Sequence, residues 1–341
     1  MKTLSTFLIL LILALANAST TGAQEFYKGK TIQFIISSSP GGGLDVDGRI
    51  MARYLGRMLP GSPTVVPQNM PGAGSIRAAD FLYFTAPKDG TAVGVIDPGV
   101  YNSQMVGEPR IRFDAAKFNW IGRMANNSPL LFTWHTSTIQ SADDLLTKPS
   151  VLAASGPTPR LNFNLLNTVL HAKIKIISGY PGSSEAMLGM QRGEIDGLAI
   201  PWPVIKATKP EWIERKDITP IVQPGAEKHP DLPNVPRMID LTKNDEDRKL
   251  FEFFALPSLL GRSVLAPPDL PKERVAELRA GFWKMVHDPE FLETAKKGQL
   301  DIDPMTGEQL QHLFEGGHAL TPAVIARAKE VWQMSQGEEP K

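Results

Sequence analysis

The sequence predicts an α/β protein in which mostly parallel sheets are covered on both faces by helices. Three observations predict it. Short apolar runs alternate with amphipathic stretches along nearly the whole chain after residue 25, the pattern of strands joined by crossover helices. Gly- and Pro-rich turns stand where the runs hand over to the stretches, as at Ser37 to Gly43 and Pro71 to Ser75. The length of 341 residues, at 42% hydrophobic and 21% charged, suffices for one large or two mid-sized domains with their own cores, and two domains are expected.

Thr31 to Ile36 reads as a buried strand, and after the Ser37 to Gly43 loop Val46, Ile50, Met51, Tyr54, Leu55, Met58 and Leu59 recur at helical spacing until Pro60. Val65-Val66 suggests another short strand. Pro71-Gly72-Ala73-Gly74-Ser75 opens a helical stretch from Ile76 to about Phe84, closed by Pro87 and the Asp89-Gly90 turn, and Ala92 to Ile96 is again a strand. Further strands are expected at Trp120 to Met124, Leu130 to Trp134, Val151 to Ala154, Lys173 to Ile177, Ile195 to Ile200 and Thr219 to Val222, with helices near Ala142 to Leu146, Leu161 to Leu170 and Glu185 to Gln191.

Pro224 to Pro236 is dense in Pro and reads as a meandering connection, and the charged run Lys243 to Lys249 as a solvated helix start. Pro257 to Ala266 is expected to bring the chain back as a strand. Pro271 then starts a helix with Val275, Leu278, Phe282 and Val286 on one face, ended by Asp288-Pro289. Thr306-Gly307-Glu308-Gln309 is a capping box and Thr321-Pro322 an N-cap with Pro at N1. No internal repeat is visible.

Charge and cysteine content limit the chemistry. Lys and Arg number 36 against 36 Asp and Glu, so no net field draws the chain to nucleic acid or an anionic membrane. The chain has no Cys, which excludes disulfides, thiolate metal sites, cysteine nucleophiles and a lipoprotein anchor. Lys2 precedes an apolar run from Phe7 to Ala16, and Ala16-Asn17-Ala18 and Thr21-Gly22-Ala23 place small residues at cleavage positions. Residues 1–23 therefore read as a secretory signal peptide, the run being well short of the roughly 20 residues that span a bilayer. Export to the periplasm of a Gram-negative cell is expected.

Enzyme motifs are missing. There is no Gly-x-Ser-x-Gly elbow, His-Glu-x-x-His pair or EF-hand loop, and the six His form no ligand-spaced pair. Gly29-Lys30-Thr31 resembles the end of a phosphate-binding loop, but the Gly required five positions earlier is Gln24 and the triplet precedes its strand. Asp45 and Asp47, two apart, diverge on a helix and make no acid/base pair.

The informative segments are the loops between strands and helices. In Ser37 to Asp45 the glycines let backbone N–H groups converge on one point at the positive end of the following helix, an anion site built without charged side chains. The same logic applies at Pro71 to Ser75, at Ala154-Ser155-Gly156-Pro157-Thr158-Pro159 and at Tyr180-Pro181-Gly182-Ser183-Ser184. All four would lie at the carboxyl ends of parallel strands, where open α/β sheets bind ligands. A carboxylate held by four to six such donors, at about 1.5–3 kcal/mol each, reaches roughly micromolar affinity after association costs once an apolar contact is added.

At these residues the chain resembles a known family. Tyr27-Lys28-Gly29-Lys30-Thr31-Ile32, Pro40-Gly41-Gly42-Gly43-Leu44-Asp45 with Arg49 on the next turn, Asn69 to Ser75, and Asp89-Gly90-Thr91 resemble the substrate-binding proteins of tripartite tricarboxylate transporters, the TctC or Bug receptors. Ser155-Gly156, Gly179 to Ser183, Arg192 to Gly197, Leu232 to Pro236 and Leu265 to Pro268 continue the match in order through the mature chain.

The resemblance implies a periplasmic-binding-protein-like receptor with two α/β lobes joined by crossing strands. The lobes close on a small organic carboxylate in the cleft between them. It implies residues 24–126 plus 258–341 as lobe one and 127–257 as lobe two. Ligand contacts are expected from Ser38, Ser39, Pro40, Gly41, Gly42, Gly43 and Asp45, with Gly74 and Asp97, in lobe one. In lobe two they are expected from Ser155, Gly156, Thr158, Tyr180, Gly182 and Asp196. Asp45 could equally cap its own helix, and Trp202, beside a strand end, could meet ligand or belong to the core. Ser38 and Leu44 depart from the family pattern, which often has an aromatic and a hydroxyl residue there, and the Leu146 to Val151 connection is short.

The implied protein is a non-enzymatic, monomeric receptor without cofactor or metal that delivers its carboxylate to the membrane subunits of a tripartite transporter. The alternatives are a co-receptor that presents ligand to a signalling system and, behind it, a periplasmic enzyme.

Overall fold

The computed structural model describes residues 26–41, 43–127, 129–154, 157–180, 182–315 and 321–336. The expected signal peptide, residues 1–23, lies outside them. Among the described residues no helix is long and apolar enough to cross a membrane.

Two mixed sheets flanked by helices make two lobes. The first sheet contains β1 (Thr31–Ile36), β2 (Thr64–Asn69), β3 (Ala92–Val95), β4 (Asn119–Arg123), β10 (Ser263–Ala266) and β11 (Met305–Thr306), in the spatial order β11-β4-β10-β3-β1-β2. β1 runs parallel to β2 and β3, whereas β10 is antiparallel to both of its neighbours. The second sheet contains β5 (Pro129–Trp134), β6 (Pro149–Ala153), β7 (Lys173–Ile177), β8 (Gly197–Pro201) and β9 (Ile218–Val222), in the order β7-β6-β8-β5-β9. β6 is parallel to β7 and β8, and β5 is antiparallel to β8 and β9.

Each sheet has apolar side chains on both faces, as the unbroken runs foretold. In β1, Ile32, Phe34 and Ile36 enter one core cluster while Ile35 enters another, the period of two that a pleated strand imposes. The first cluster is closed by α1 (Gly43–Met58) and α10 (Lys272–Val286) through Tyr54, Leu55, Leu278 and Phe282. The opposite face is covered by α2 (Ile76–Asp80), which continues into a π turn at Phe81–Thr85, by α3 (Gly99–Met105) and by α12 (Gly307–Glu315).

The second sheet is treated likewise. On one face lie α4 (Ala142–Thr147) and α5 (Pro157–Leu170), and on the other α6 (Ser183–Gln191), α7 (Trp202–Thr208) and α8 (Pro210–Glu214). α9 (Asp245–Leu260), capped by the Asn244 side chain on the N–H groups of Glu246 and Asp247, belongs to both lobes. Its first half buries Leu250, Phe251, Phe253 and Phe254 against lobe two, and its end buries Leu256 and Leu260 against lobe one. α11 (Pro289–Lys297) lies on lobe one. α13 (Pro322–Gln336), which the sequence resemblance groups with lobe one, buries Val324, Ala328 and Val331 in the core of lobe two.

Up to α12 the chain crosses between lobes along two adjacent segments, and it passes to lobe two once more before α13. Outgoing residues 124–127 pair with returning residues 258–262: Met124 N–H donates to the Arg262 carbonyl at 2.9 Å, Arg262 N–H to Ala125 at 2.8 Å and Asn127 N–H to Ser258 at 3.2 Å. Gly261 lies between them at φ 44°, where a Cβ would strike the Ala125 carbonyl. The expected strand from Pro257 is instead the last turn of α9. Pro257 enters the helix without breaking it, and only Ser263 to Ala266 pair as a strand.

Candidate functional site

A cavity of about 540 Å³ lies between the lobes. Lobe one contributes the turns just beyond the carboxyl ends of its three parallel strands: Ser38 after β1, Ala73 to Ser75 after β2, and Asp97 to Gly99 after β3. Lobe two contributes Thr158, Leu161 and Asn162 from the start of α5, after β6. Asn127, Pro224, Pro257 and Ser258 of the crossing region line it as well. The site is therefore at the strand ends expected of open α/β sheets, with the positive ends of α1 and α5 nearby.

Local bonding holds the strand ends in place. Buried Ser37 joins all three, its Oγ accepting from Ser75 Oγ at 2.8 Å and from Asp97 N–H at 3.0 Å. Gly72, Ala73, Gly74 and Ser75 have φ of 134°, 49°, 58° and 76°. Two non-glycine residues in the left-handed region store strain, which a firmly tied loop at a ligand wall can sustain.

Asp45 secures the glycine loop from behind. Its carboxylate accepts from Gly41 N–H at 2.8 Å, Arg49 Nε at 3.0 Å and Asn69 Nδ2 at 2.7 Å, while Asn69 Nδ2 also reaches the Ser38 carbonyl at 2.9 Å. These donors, Arg49 first, hold its pKa down at about 2. Two residues on, buried Asp47 pairs with Arg262 at 2.5 Å. Burial pushes its pKa up against the pull of the guanidinium.

Of the residues expected to meet ligand, Ser38, Gly74, Asp97 and Thr158 come together in the cavity. Gly42, Ser155 and Gly156 lie outside the described residues. Ser39, Pro40, Gly41 and Gly43 are arranged around the start of α1 and are not among the lining residues. Asp196 accepts from Ser137 Oγ and Val151 N–H at the amino end of β8, away from the strand ends that line the cavity. Tyr180 donates its hydroxyl to Glu194 at 3.1 Å, and Gly182 precedes α6 as its N-cap. Trp202 is buried in the lobe-two core, with Nε1 donating to Asp231 at 3.0 Å.

The structure adds lining residues that the loops did not announce. α3 supplies Asn102 and Ser103, the segment after it supplies Glu108 and Arg110, and α9 and α13 supply Phe254 and Trp332. Phe254 and Trp332, with Leu44, Val100 and Leu161, give the cavity an apolar lining beside the polar strand ends. Arg110 donates to Glu108 at 2.6 Å and holds that carboxyl below its usual range. Arg110 is the only Lys or Arg among the described lining residues. Two buried polar atoms of lining residues, Ser38 Oγ and Asn102 Oδ1, have no hydrogen-bond partner among the described residues. No group of three or more His, Asp or Glu among those residues could hold a metal ion.

Away from the cavity the lobes meet in a polar cluster. Asp301, in the lobe-one loop before β11, accepts from His229 Nε2 at 3.0 Å and Lys206 Nζ at 3.1 Å, both of lobe two. Lys206 also reaches Asp231 at 2.9 Å, and Asp231 N–H donates to His229 Nδ1. The His229 hydrogen bond is the first cause of the lowered pKa of Asp301.

No family model matches the chain. A UPF0065 protein from the gbd 5' region of Cupriavidus necator is 23% identical over 308 residues, covering 87% of each chain. A second UPF0065 protein, from a Pseudomonas species, is 24% identical over 317 residues, covering 89% of this chain and 88% of its own. Among solved structures, a TctC solute-binding protein from Polaromonas superposes with a TM-score of 0.66 at 17% identity, covering 91% of this chain and 99% of that one. The periplasmic binding protein BugD gives 0.57 at 18% identity over 92% and 100%. A Rhodopseudomonas palustris protein solved with adipate gives 0.60 at 20% identity over 92% and 99%. Its solved neighbours are thus TctC and Bug periplasmic binding proteins, and the chain has their two-lobe fold.

Proposed function

We propose that the protein is a periplasmic solute receptor that takes a small organic carboxylate between its lobes and passes it to the membrane subunits of a tripartite tricarboxylate-type transporter. The observation that carries the reading is the interlobe cavity at the carboxyl ends of β1, β2, β3 and β6. Its one lining cation among the described residues is already paired with Glu108. An anion there is recognised by hydroxyls and backbone N–H groups, which lets a chain of zero net charge hold it. The adipate in one structural neighbour supports a carboxylate ligand, and periplasmic neighbours support the location. The binding-protein character of those neighbours supports a role without turnover.

A thermal-shift screen of mono-, di-, tri- and aromatic carboxylates tests the reading. A ligand at a hundred times its Kd stabilises the folded state by about 2.7 kcal/mol, which for a chain of this size raises the melting temperature on the order of 5 °C. Flat curves across the whole panel would rule out the carboxylate receptor.

A further inference from the structure

We infer that the ligand is a monocarboxylate with an apolar body, an alkyl chain or an aromatic ring, and that Trp332 on α13 receives that body. The inference rests on the carboxylate reading above and narrows it.

Charge favours a single carboxylate. Asp97, Glu108 and Arg110 are the charged side chains among the described lining residues, two acids against one base, so this lining is net negative. Arg110 donates its Nε to Glu108 at 2.6 Å and holds that carboxyl below its usual range, so the pair stays ionised. The turns at the strand ends, with Thr158, offer neutral donors for one carboxylate. A second would lose its water against a lining that repels it, with no cation of its own to meet.

Three helices supply the apolar part. Leu161 of α5 and Phe254 of α9 belong to the core of lobe two, Trp332 of α13 packs against that core, and all three also line the cavity. Leu161 and Phe254 are each 7% exposed, whereas Trp332 is only partly buried and keeps surface that a ligand can cover. Closing the lobes alters the volume of the cavity but not the charge or polarity of the residues that line it. Each ligand methylene buried there raises affinity about fourfold. A ring gains further by packing on the indole.

Calorimetric titration of the purified full chain with pairs of acids matched in length is the test: butyrate with succinate, hexanoate with adipate, octanoate with suberate, and benzoate with terephthalate. The monocarboxylate of each pair should bind more tightly than its diacid, by about tenfold or more. From butyrate to octanoate, affinity should rise about fourfold per added methylene. Trp332→Ala should cut that gain to less than about twofold, and Trp332→Phe, which keeps an aromatic face, should restore it. Octanoate should also change the tryptophan emission of the wild type more than that of Trp332→Phe, a readout that does not depend on the alanine variant folding. A diacid that binds as tightly as its partner, a gain that survives Trp332→Ala, or equal emission changes in wild type and Trp332→Phe overturns the inference and leaves the carboxylate reading standing. Failure of Trp332→Phe to restore the gain overturns it too, by assigning the loss to the packing of α13. Binding of no acid at all removes the carboxylate reading and the inference together.

Discussion

At Asp45, Gly41, Arg49 and Asn69 all donate to one carboxylate, and that convergence has a pH signature. The folded pKa of about 2 lies below the value of about 3.9 of an unfolded Asp. A depressed carboxyl contributes stability that is complete above the unfolded pKa and is lost as pH falls through the folded one. The melting temperature should therefore fall between about pH 4 and pH 2, and Asp45→Asn should start lower and fall less steeply over that window. Parallel curves for the two proteins would show that the network does not stabilise the loop. The sequence left Asp45 open between ligand contact and helix support, because a carboxylate at a helix start suits both. Ser38 and Gly74 were legible at the cavity because Gly and Pro mark their strand ends, whereas Asp97 was expected only from the family resemblance. Asn102 and Trp332 were not, since each sits within an ordinary helix and meets the cavity only through tertiary packing.

Elements were legible where local chemistry specifies them. The Thr306 capping box forms with Gln309 as its partner, the Thr306 hydroxyl taking Gln309 N–H and the Gln309 side chain taking Thr306 N–H. The Thr321 hydroxyl caps α13 by accepting from Val324 N–H. The end of α9 past Pro257 reads as a strand in sequence because Leu256 to Leu260 offers an apolar run with no period, which suits a buried strand or helix alike. α13 was readable as a helix but not by its docking partner. Val331 is fully buried against lobe two and Trp332 beside it lines the cavity. Val331→Asp places an unpaired charge there and should detach the helix at a cost of several kcal/mol. Limited proteolysis should then cut between residues 322 and 336, with carboxylate binding lost. Protection equal to wild type would show that α13 does not close lobe two.

At the scale of the whole molecule, the proposed receptor closes its lobes on the ligand, and Asp301 bears on that. It is held by His229 and Lys206 across the lobe boundary, each bond contributing on the order of 1 kcal/mol in a partly exposed site. Asp301→Asn should shift the equilibrium between interlobe arrangements about fivefold or more. Spin labels on the two lobes should report a broader distance distribution than in wild type. Because the pKa of Asp301 is lowered, the contact holds through the ordinary carboxylate range and is released as pH falls below it, so acid should broaden the wild-type distribution but not that of the variant. An unchanged distribution in Asp301→Asn would make the cluster a bystander. None of this was visible in sequence, where Lys206, His229 and Asp301 are far apart and unremarkable in type.

The docking of α13 also sets an order on assembly. The face of α5 that receives Val324, Ala328 and Val331 belongs to the middle of the chain, whereas the helix that covers it comes after the entire return through lobe one. Closing so long a loop must precede the contacts that reward it. During vectorial synthesis, then, a chain that has emerged only as far as α11 carries a lobe two with an uncovered apolar flank. It stays vulnerable to self-association and accessible to holdase chaperones until its final clasp arrives.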